Sequence, residues 1–450
     1  MARLVIVSNR VPVPRPRRGA QAGGLAVALK QALARRQALW FGWSGAVAPR
    51  AGLTPRQVTV GPTTYATIDL SAEEHRRYYT GFANGTLWPV LHWRMGLTEF
   101  HTEDYAAYRA VNGLFADALA GLLRADDVVW VHDYHLIPLG AALRVRGFAG
   151  RIGFFLHVPF PPPALFEALP HGGELLRDLA ACDLVGTQTV RDALHLGGAF
   201  AALGLRARVR AFPVGIDAGD FAAQAGRAAA GPEGRRLRES LGERALVLGA
   251  DRLDYSKGLP HRLHGFAQLL KLQPAHRRRV TLLQVAPVSR DEVAQYRALR
   301  RELDELVGRI NGQFGEPDWI PVRWITRTLP RATLAGYHRL ARVGLVTPLR
   351  DGMNLVAKEF VAAQDGADPG VLVLSRFAGA AEELSGAIQV NPHDPDEIAH
   401  GLHAALSMDA GERVRRWEDD AARVHAGSAA SWAAAFLAAL DAAPQAMAAA

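Results

Sequence analysis

The sequence predicts an α/β protein made of two doubly wound, Rossmann-like domains. Three observations carry that expectation. Short apolar runs recur along the chain, each followed by a turn rich in Gly, Pro or Asp and then by a helical pattern. The alternation lapses over roughly 218–240, a weakly patterned Gly/Ala/Arg-rich stretch, and restarts at ALVLGA, 245–250. The 450 residues are enough for two domains of ordinary size. The expected boundaries are 1–217, 218–430 and a terminal segment 431–450.

Composition narrows the class further. Hydrophobic residues outnumber charged ones 49% to 21%, as in a globular chain and unlike a disordered one. The single cysteine, Cys182, excludes an internal disulfide and suits a reducing compartment. The opening MARLVIVSNR is too short an apolar run for a signal peptide, and no segment approaches the ~20 apolar residues of a membrane helix, so a cytoplasmic location is expected. The net charge of +8 invites a nucleic-acid reading. The cations are scattered, however, apart from Arg15–Arg18 and Arg277–Arg279, and no nucleic-acid motif accompanies them. Anionic small molecules are the better-matched partners.

Taken in order, RLVIVSN (3–9) reads as a first strand with Arg10 at its carboxyl end. A basic, Pro-rich loop (11–19) leads to Gly23 and Gly24 and a helical pattern, and paired glycines admit a phosphate or sugar close to backbone N–H groups. The spacing is not the dinucleotide fingerprint, so no nicotinamide cofactor is implied. The stretches 40–45 and 78–93 are dense in aromatics and glycine. Tyr79 and Trp88 offer a stacking wall for a sugar ring, with core packing the alternative for most of these rings.

Strand 127–131 ends in HDYHL, 132–136. A zinc reading of His132, Asp133 and His135 lacks a third ligand at usable spacing, and Asp133 is better read as a carboxylate that binds hydroxyls. Strand 151–158 ends at His157, just before the proline-locked turn Pro159–Pro163. After 245–250, DRLDYSKGLPHRLHGFAQLL sets Arg252 and Lys257 on either side of a turn entering a helix. Two cations and a helix N-terminus make a diphosphate cradle, each charge-assisted bond contributing about 1.5–3 kcal/mol. Strand 280–286 runs toward Arg290, another cation at the carboxyl edge.

VGLVTPLRDGMNLVAKEF (343–360) reads as a strand from Val343 to Leu349, a sharp turn and a helix from Asn354 or Leu355. Asp351 and Glu359, with Lys358 beside the latter and Gly352 allowing close approach, suit a ligand rich in hydroxyls and phosphate. Strand 371–375, the turn FAGAAEEL (377–384) and an amphipathic helix at 432–440 complete the chain.

GFANGTLWP, HDYHL, GFFLHVPFP, DRLDYSKGL, QVAPVSR, TPLRDGMNLVAKEF and FAGAAEEL occur in this order. The chain thereby resembles the trehalose-6-phosphate synthase family of nucleotide-sugar glucosyltransferases, in its bacterial form without a phosphatase domain. The resemblance implies a GT-B arrangement, two doubly wound domains facing a cleft with a terminal helix crossing back to the first. It implies an acceptor site for glucose-6-phosphate at Arg10, Tyr79, Trp88, Asp133 and Arg290. Donor nucleotide-glucose would meet Gly23, Gly24, His157, Asp351, Met353 and Asn354. Arg252 and Lys257 would clamp its diphosphate with the backbone of Leu355 and Val356, Glu359 would take the ribose hydroxyls beside Lys358, and Leu329 would touch the base. Arg252, Lys257, His157 and Asp133 form the implied catalytic set, with no metal and no cofactor. Transfer would retain the α configuration.

Two features depart from the family pattern: Arg376, where Glu or Gln commonly precedes FAGA, and the unusually basic loop 11–19. UDP is the default nucleotide, with ADP and GDP open, as is assembly into a dimer or tetramer. The alternatives are a relative using another phosphorylated acceptor, such as glycerol-phosphate or a cyclitol phosphate, and a catalytically silent sugar-phosphate sensor. The sensor would lack the diphosphate cations or Glu359, and all are present.

Overall fold

The computed structural model describes residues 2–13, 29–30, 37–50, 52–288 and 294–444. The chain divides into two compact units, Met1–Val214 with Ala429–Ala450, and Gly215–Ser428.

The first unit carries strands β1 (Leu4–Arg10), β2 (Ala38–Ala48), β3 (Arg56–Val60), β4 (Thr63–Ser71), β5 (Val128–His132), β6 (Arg151–Phe155), β7 (Leu184–Thr187) and β8 (Val209–Ala211). They form one sheet in the order β3-β4-β2-β1-β5-β6-β7-β8, parallel except for the β3–β4 hairpin. Strands β1, β6 and β7 are almost wholly buried because they are apolar on both faces, as parallel strands covered by helices must be. Strand β3 is exposed throughout and closes one edge. The aromatic stretch 40–45 lies within β2, with Trp40 and Phe41 in the core.

Segment His75–Leu87 is a π-helix, and the Trp88 N–H continues its wide pattern to the Ala83 carbonyl. Asn84 stabilises the widened turn: its Nδ2 donates to the Tyr79 carbonyl at 2.8 Å, and its Oδ1 accepts from the Tyr134 hydroxyl at 2.9 Å. Such turns are rare and concentrate near functional sites.

The second unit carries β9 (Ala245–Ala250), β10 (Val280–Val285), β11 (Val322–Ile325), β12 (Val343–Val346), β13 (Val371–Ser375) and β14 (Ile388–Val390). All pair in parallel in the order β11-β10-β9-β12-β13-β14, the order of a dinucleotide fold. The weakly patterned stretch 218–240 folds as two helices, Ala218–Ala230 and Pro232–Leu241. The Asp217 carboxylate caps the first by accepting the Asp220 N–H, and Pro232 starts the second. Alanines supply helix propensity in the first and Arg, Glu and Leu in the second, while Phe221, Leu237 and Leu241 supply the buried face. Among the described residues, no helix is long and apolar enough to cross a membrane.

Helix Ala429–Asp441 belongs to the first unit and covers β6 and β7, where Gly153 and Gly186 make room for it. Phe436 lies flat on Trp130 with centroids 4.7 Å apart, and Arg151 Nη2 donates to the Asp441 carbonyl at 3.0 Å. A Cβ at Gly153 would stand 2.7 Å from Phe436 and 2.9 Å from Leu440. Gly153→Val is therefore expected to destabilise by about 1–3 kcal/mol, as overpacking does. Thermal unfolding checks this, and adding Phe436→Ala should give a strongly non-additive double variant.

Candidate active site

In an open α/β sheet, ligands bind where the chain leaves two neighbouring strands toward opposite faces. In the second unit that point lies between β9 and β12, and two loops emerge there, 251–258 and 347–354. They are fastened together: the Leu349 N–H donates to the Ser256 carbonyl at 2.8 Å. Gly258 has a φ of +63°, and a Cβ there would fall 2.3 Å from the Thr347 carbonyl oxygen, so glycine is required.

Beneath both loops lies Arg262, a guanidinium with no solvent exposure. Its Nη2 donates to Asp251 Oδ2 at 2.7 Å, Nη1 to Gln284 Oε1 at 3.0 Å and Nε to Thr347 Oγ1 at 3.0 Å. One side chain thus ties the segments following β9 and β12 to strand β10. Asp254, also fully buried, accepts from the Ser256 N–H and hydroxyl and from the Tyr296 hydroxyl. On this support, Arg252 extends half-exposed, with Nη2 3.8 Å from Asp254.

Lys257 Nζ meets Asp351 Oδ2 at 2.5 Å. Two residues assigned to separate parts of a donor thus form an ion pair with each other. Asn354 Nδ2 donates to the same oxygen at 3.0 Å, while its Oδ1 accepts the Ala357 N–H and caps helix Leu355–Ala363. Asn354 holds a φ of +78°, strain of the kind found where a loop is shaped for a ligand. The first-turn N–H groups of Leu355 and Val356 have no intrahelical acceptor. The Ala380 N–H donates to the Met353 carbonyl at 2.7 Å, which sets the 351–354 turn against the FAGA segment.

Glu359 lies 3.3 Å from Arg331 Nη2. Burial pushes its pKa up, and the Arg331 charge opposes that shift. Lys358, expected at the donor site beside Glu359, is 3% exposed and pairs with Glu383 at 2.5 Å. Its pKa is lowered by burial, and Glu383 opposes the shift. Position 358 faces the protein interior because the helix turns about 100° between consecutive residues. Leu329 is 6% exposed, and Arg376 pairs with Glu397.

In the first unit the corresponding point lies between β1 and β5. Arg10 ends β1 exposed, its guanidinium 5.9 Å from the Trp43 ring centre. Asp133 follows β5 with a φ of +77°, and its Oδ1 accepts the His157 N–H at 3.2 Å. Tyr79 lies parallel to His135, with 5.6 Å between centroids, and stacks on His75 from its other neighbour side at 5.1 Å. Trp88 is 5% exposed, packed on His92 and Tyr134. His157 is half-buried among Phe155 and Trp432, and burial pushes its pKa down to about 3. Gly23, Gly24 and Arg290 lie outside the described residues.

The structure thus gathers Arg252, Lys257, Asp351 and Asn354 around one pair of loops, and sets Arg10 and Asp133 at another pair of strand ends. Sequence reasoning missed Arg262, Gln284, Thr347 and Arg331. For Arg262 a signal existed: with Leu259, Leu263 and Phe266 it falls on an apolar helical stripe, where a cation needs a buried partner.

The model of glycosyltransferase family 20 matches residues 2–442. A trehalose-6-phosphate synthase of Sinorhizobium fredii is 48% identical over 434 residues, 93% of each chain, and one of an Enterobacter species is 44% identical over 92% of this chain and 90% of its own. Among solved structures, an α,α-trehalose-phosphate synthase (UDP-forming) of Burkholderia xenovorans in complex with glucose-6-phosphate is similar with a TM-score of 0.93 and 42% identity, covering 98% of this chain and all of its own. An E. coli structure bound with UDP-2-fluoro glucose has a TM-score of 0.93 and 41% identity over the same shares.

Arg262→Met should leave Asp251 buried without its cation and cost about 3–5 kcal/mol. Chemical denaturation measures this, and a loss within 1 kcal/mol would contradict the supporting role given to Arg262.

Proposed function

This chain belongs to glycosyltransferase family 20, and we propose that it transfers glucose from a nucleotide-glucose, UDP-glucose by default, to glucose-6-phosphate. The products are α,α-trehalose-6-phosphate and the free nucleoside diphosphate. The observation that carries this reading is the Arg252, Lys257 and Asp351 cluster at the β9/β12 strand ends of a dinucleotide-type sheet.

The second unit takes the donor. Arg252 and Lys257 hold its diphosphate, joined by the Leu355 and Val356 N–H groups at the helix start. Lys257 rests against Asp351, so a diphosphate takes over a cation already held in place, and Asp351 is released toward the glucose hydroxyls with the backbone of Met353 and Asn354. Glu359 takes the ribose hydroxyls, with Arg331 opposing the rise in its pKa, and the segment at Leu329 meets the base. Lys358 anchors the Glu383 turn and leaves the substrate to its neighbours. For the acceptor, Arg10 and Arg290, helped by Tyr79, take the sugar phosphate, Trp88 borders the sugar, and Asp133 takes its hydroxyls. His157, Gly23 and Gly24 adjoin the donor glucose.

The step is a front-face displacement. The bond from the glucosyl C1 to the diphosphate oxygen breaks as the acceptor's anomeric oxygen bonds to the same face, and the acceptor proton passes to the departing oxygen. Negative charge therefore grows on the diphosphate, and Arg252 and Lys257 bind it more strongly in the transition state than before it.

Purified protein mixed with glucose-6-phosphate and UDP-, ADP- or GDP-glucose in EDTA should release nucleoside diphosphate, fastest from UDP-glucose. Release that ignores glucose-6-phosphate would point to another acceptor. Arg252→Ala and Lys257→Ala should each lower turnover by about 10²–10³, and undiminished transfer in the double variant would refute the clamp.

A further inference from the structure

Gln188, in the segment after β7, meets His157 in the first unit. The backbone N–H of Val214 donates to Gln188 Oε1 at 3.0 Å, which fixes which end of the amide is which. The other end, Nε2, lies 3.3 Å from His157 Nδ1. An amide nitrogen only donates, so Nδ1 must accept and carries no proton. The proton of His157 then sits on Nε2, which lies 3.0 Å from His132 Nδ1. That contact makes His132 Nδ1 an acceptor in turn and places the His132 proton on Nε2. This last N–H is buried beside Trp130 and has no hydrogen-bond partner among the described residues.

The chain of donors runs one way, from Gln188 to His157 to His132. A protonated His157 would set Nδ1–H against the Gln188 NH2, donor against donor. The titratable groups around the ring are His132 and Asp133; the latter's carboxylate is turned to the His157 backbone N–H. Burial lowers the pKa of both imidazoles, in agreement with the geometry.

We propose that Gln188 and His132 are positioning residues that lock His157 as the neutral Nε2–H tautomer, so that it serves glucosyl transfer as a fixed dipole and neither takes nor gives a proton. This rests on the transferase reading above. It follows that a donor hydroxyl meeting this ring meets a neutral one at any pH near 7, and the acceptor's proton has no histidine to go to.

The test uses the full chain labelled with ¹⁵N-histidine and long-range proton–nitrogen correlation, with His157 assigned by its absence in His157→Phe. The expected result is the Nε2–H tautomer of His157, unchanged between pH 5.5 and 8.5. A His157 that titrates in that window, or that carries its proton on Nδ1, overturns the proposal; the one variant this readout needs is the folded His157→Phe used for assignment. Gln188→Glu presents an acceptor to Nδ1, so it should reverse the chain, put a proton on Nδ1 and lower kcat roughly 10–100-fold, the usual scale for lost outer-shell orientation. KM for both substrates should move far less. His132→Asn retains an acceptor for the Nε2 proton and should preserve the tautomer and most of kcat, whereas His132→Phe leaves that proton without an acceptor and should lower kcat while Gln188 keeps Nδ1 unprotonated. A reversed tautomer with kcat within twofold of the parent overturns the role in transfer. If the parent protein transfers no glucose at all, the transferase reading fails, and the tautomer measured in the free protein still decides the lock.

Discussion

A single buried guanidinium underlies the geometry of the second unit. Removing Arg262 from water is costly, and an opposite charge with further hydrogen bonds is what makes it tolerable. Asp251 provides the charge, and Gln284 and Thr347 add hydrogen bonds, one to each remaining guanidinium nitrogen. The arrangement is directional: a planar fork with fixed angles sets where Asp251 and Thr347 lie relative to one another. Arg252 follows Asp251 directly, and the turn holding Asp351 follows Thr347 four residues on. An apolar core would hold the sheet together equally well but would leave these loops free to slide.

Charge is handled in the same unit by pairing. Lys257 rests on Asp351, Arg331 on Glu359, and Lys358 on Glu383. The first two pairs are partly open to solvent and therefore exchangeable for a ligand's own charges. The third is closed, and its function is to hold the FAGAAEEL turn against the helix that follows the β12 loop. A sequence shows three Lys or Arg residues and three acids; which pairs open and which do not depends on helix phase and depth.

The alternating strands and helices were legible because parallel strands buried on both faces leave unbroken apolar runs. The motif residues at strand ends were legible because a turn there has to display what it carries. Less visible was the π-helix, whose widened hydrogen bonds follow from Asn84 being satisfied by Tyr79 and Tyr134, contacts that no local pattern announces. The two helices over 218–241 were hidden because one is mostly alanine and the other mostly charged, with few large apolar residues to mark a face. The sequence alone placed Lys358 with Glu359 at the donor site, whereas the helix turns it into the interior, since neighbours along a helix point in different directions. Arg331 and Gln188 were illegible because each acts on a residue far away in the chain, whereas Arg262 left a trace as a cation on an apolar helical stripe.

The helix that ends the chain fills a groove left by Gly153 and Gly186 in the unit that begins it. On the ribosome, residues 1–214 emerge while Phe436 and Trp432 are still unmade. The parent sheet must therefore pass through the synthesis of an entire inserted unit with its aromatic floor at Trp130 and Phe155 uncovered. Its last layer arrives only after that unit has been made, so nascent-chain maturation returns to the sheet where it started.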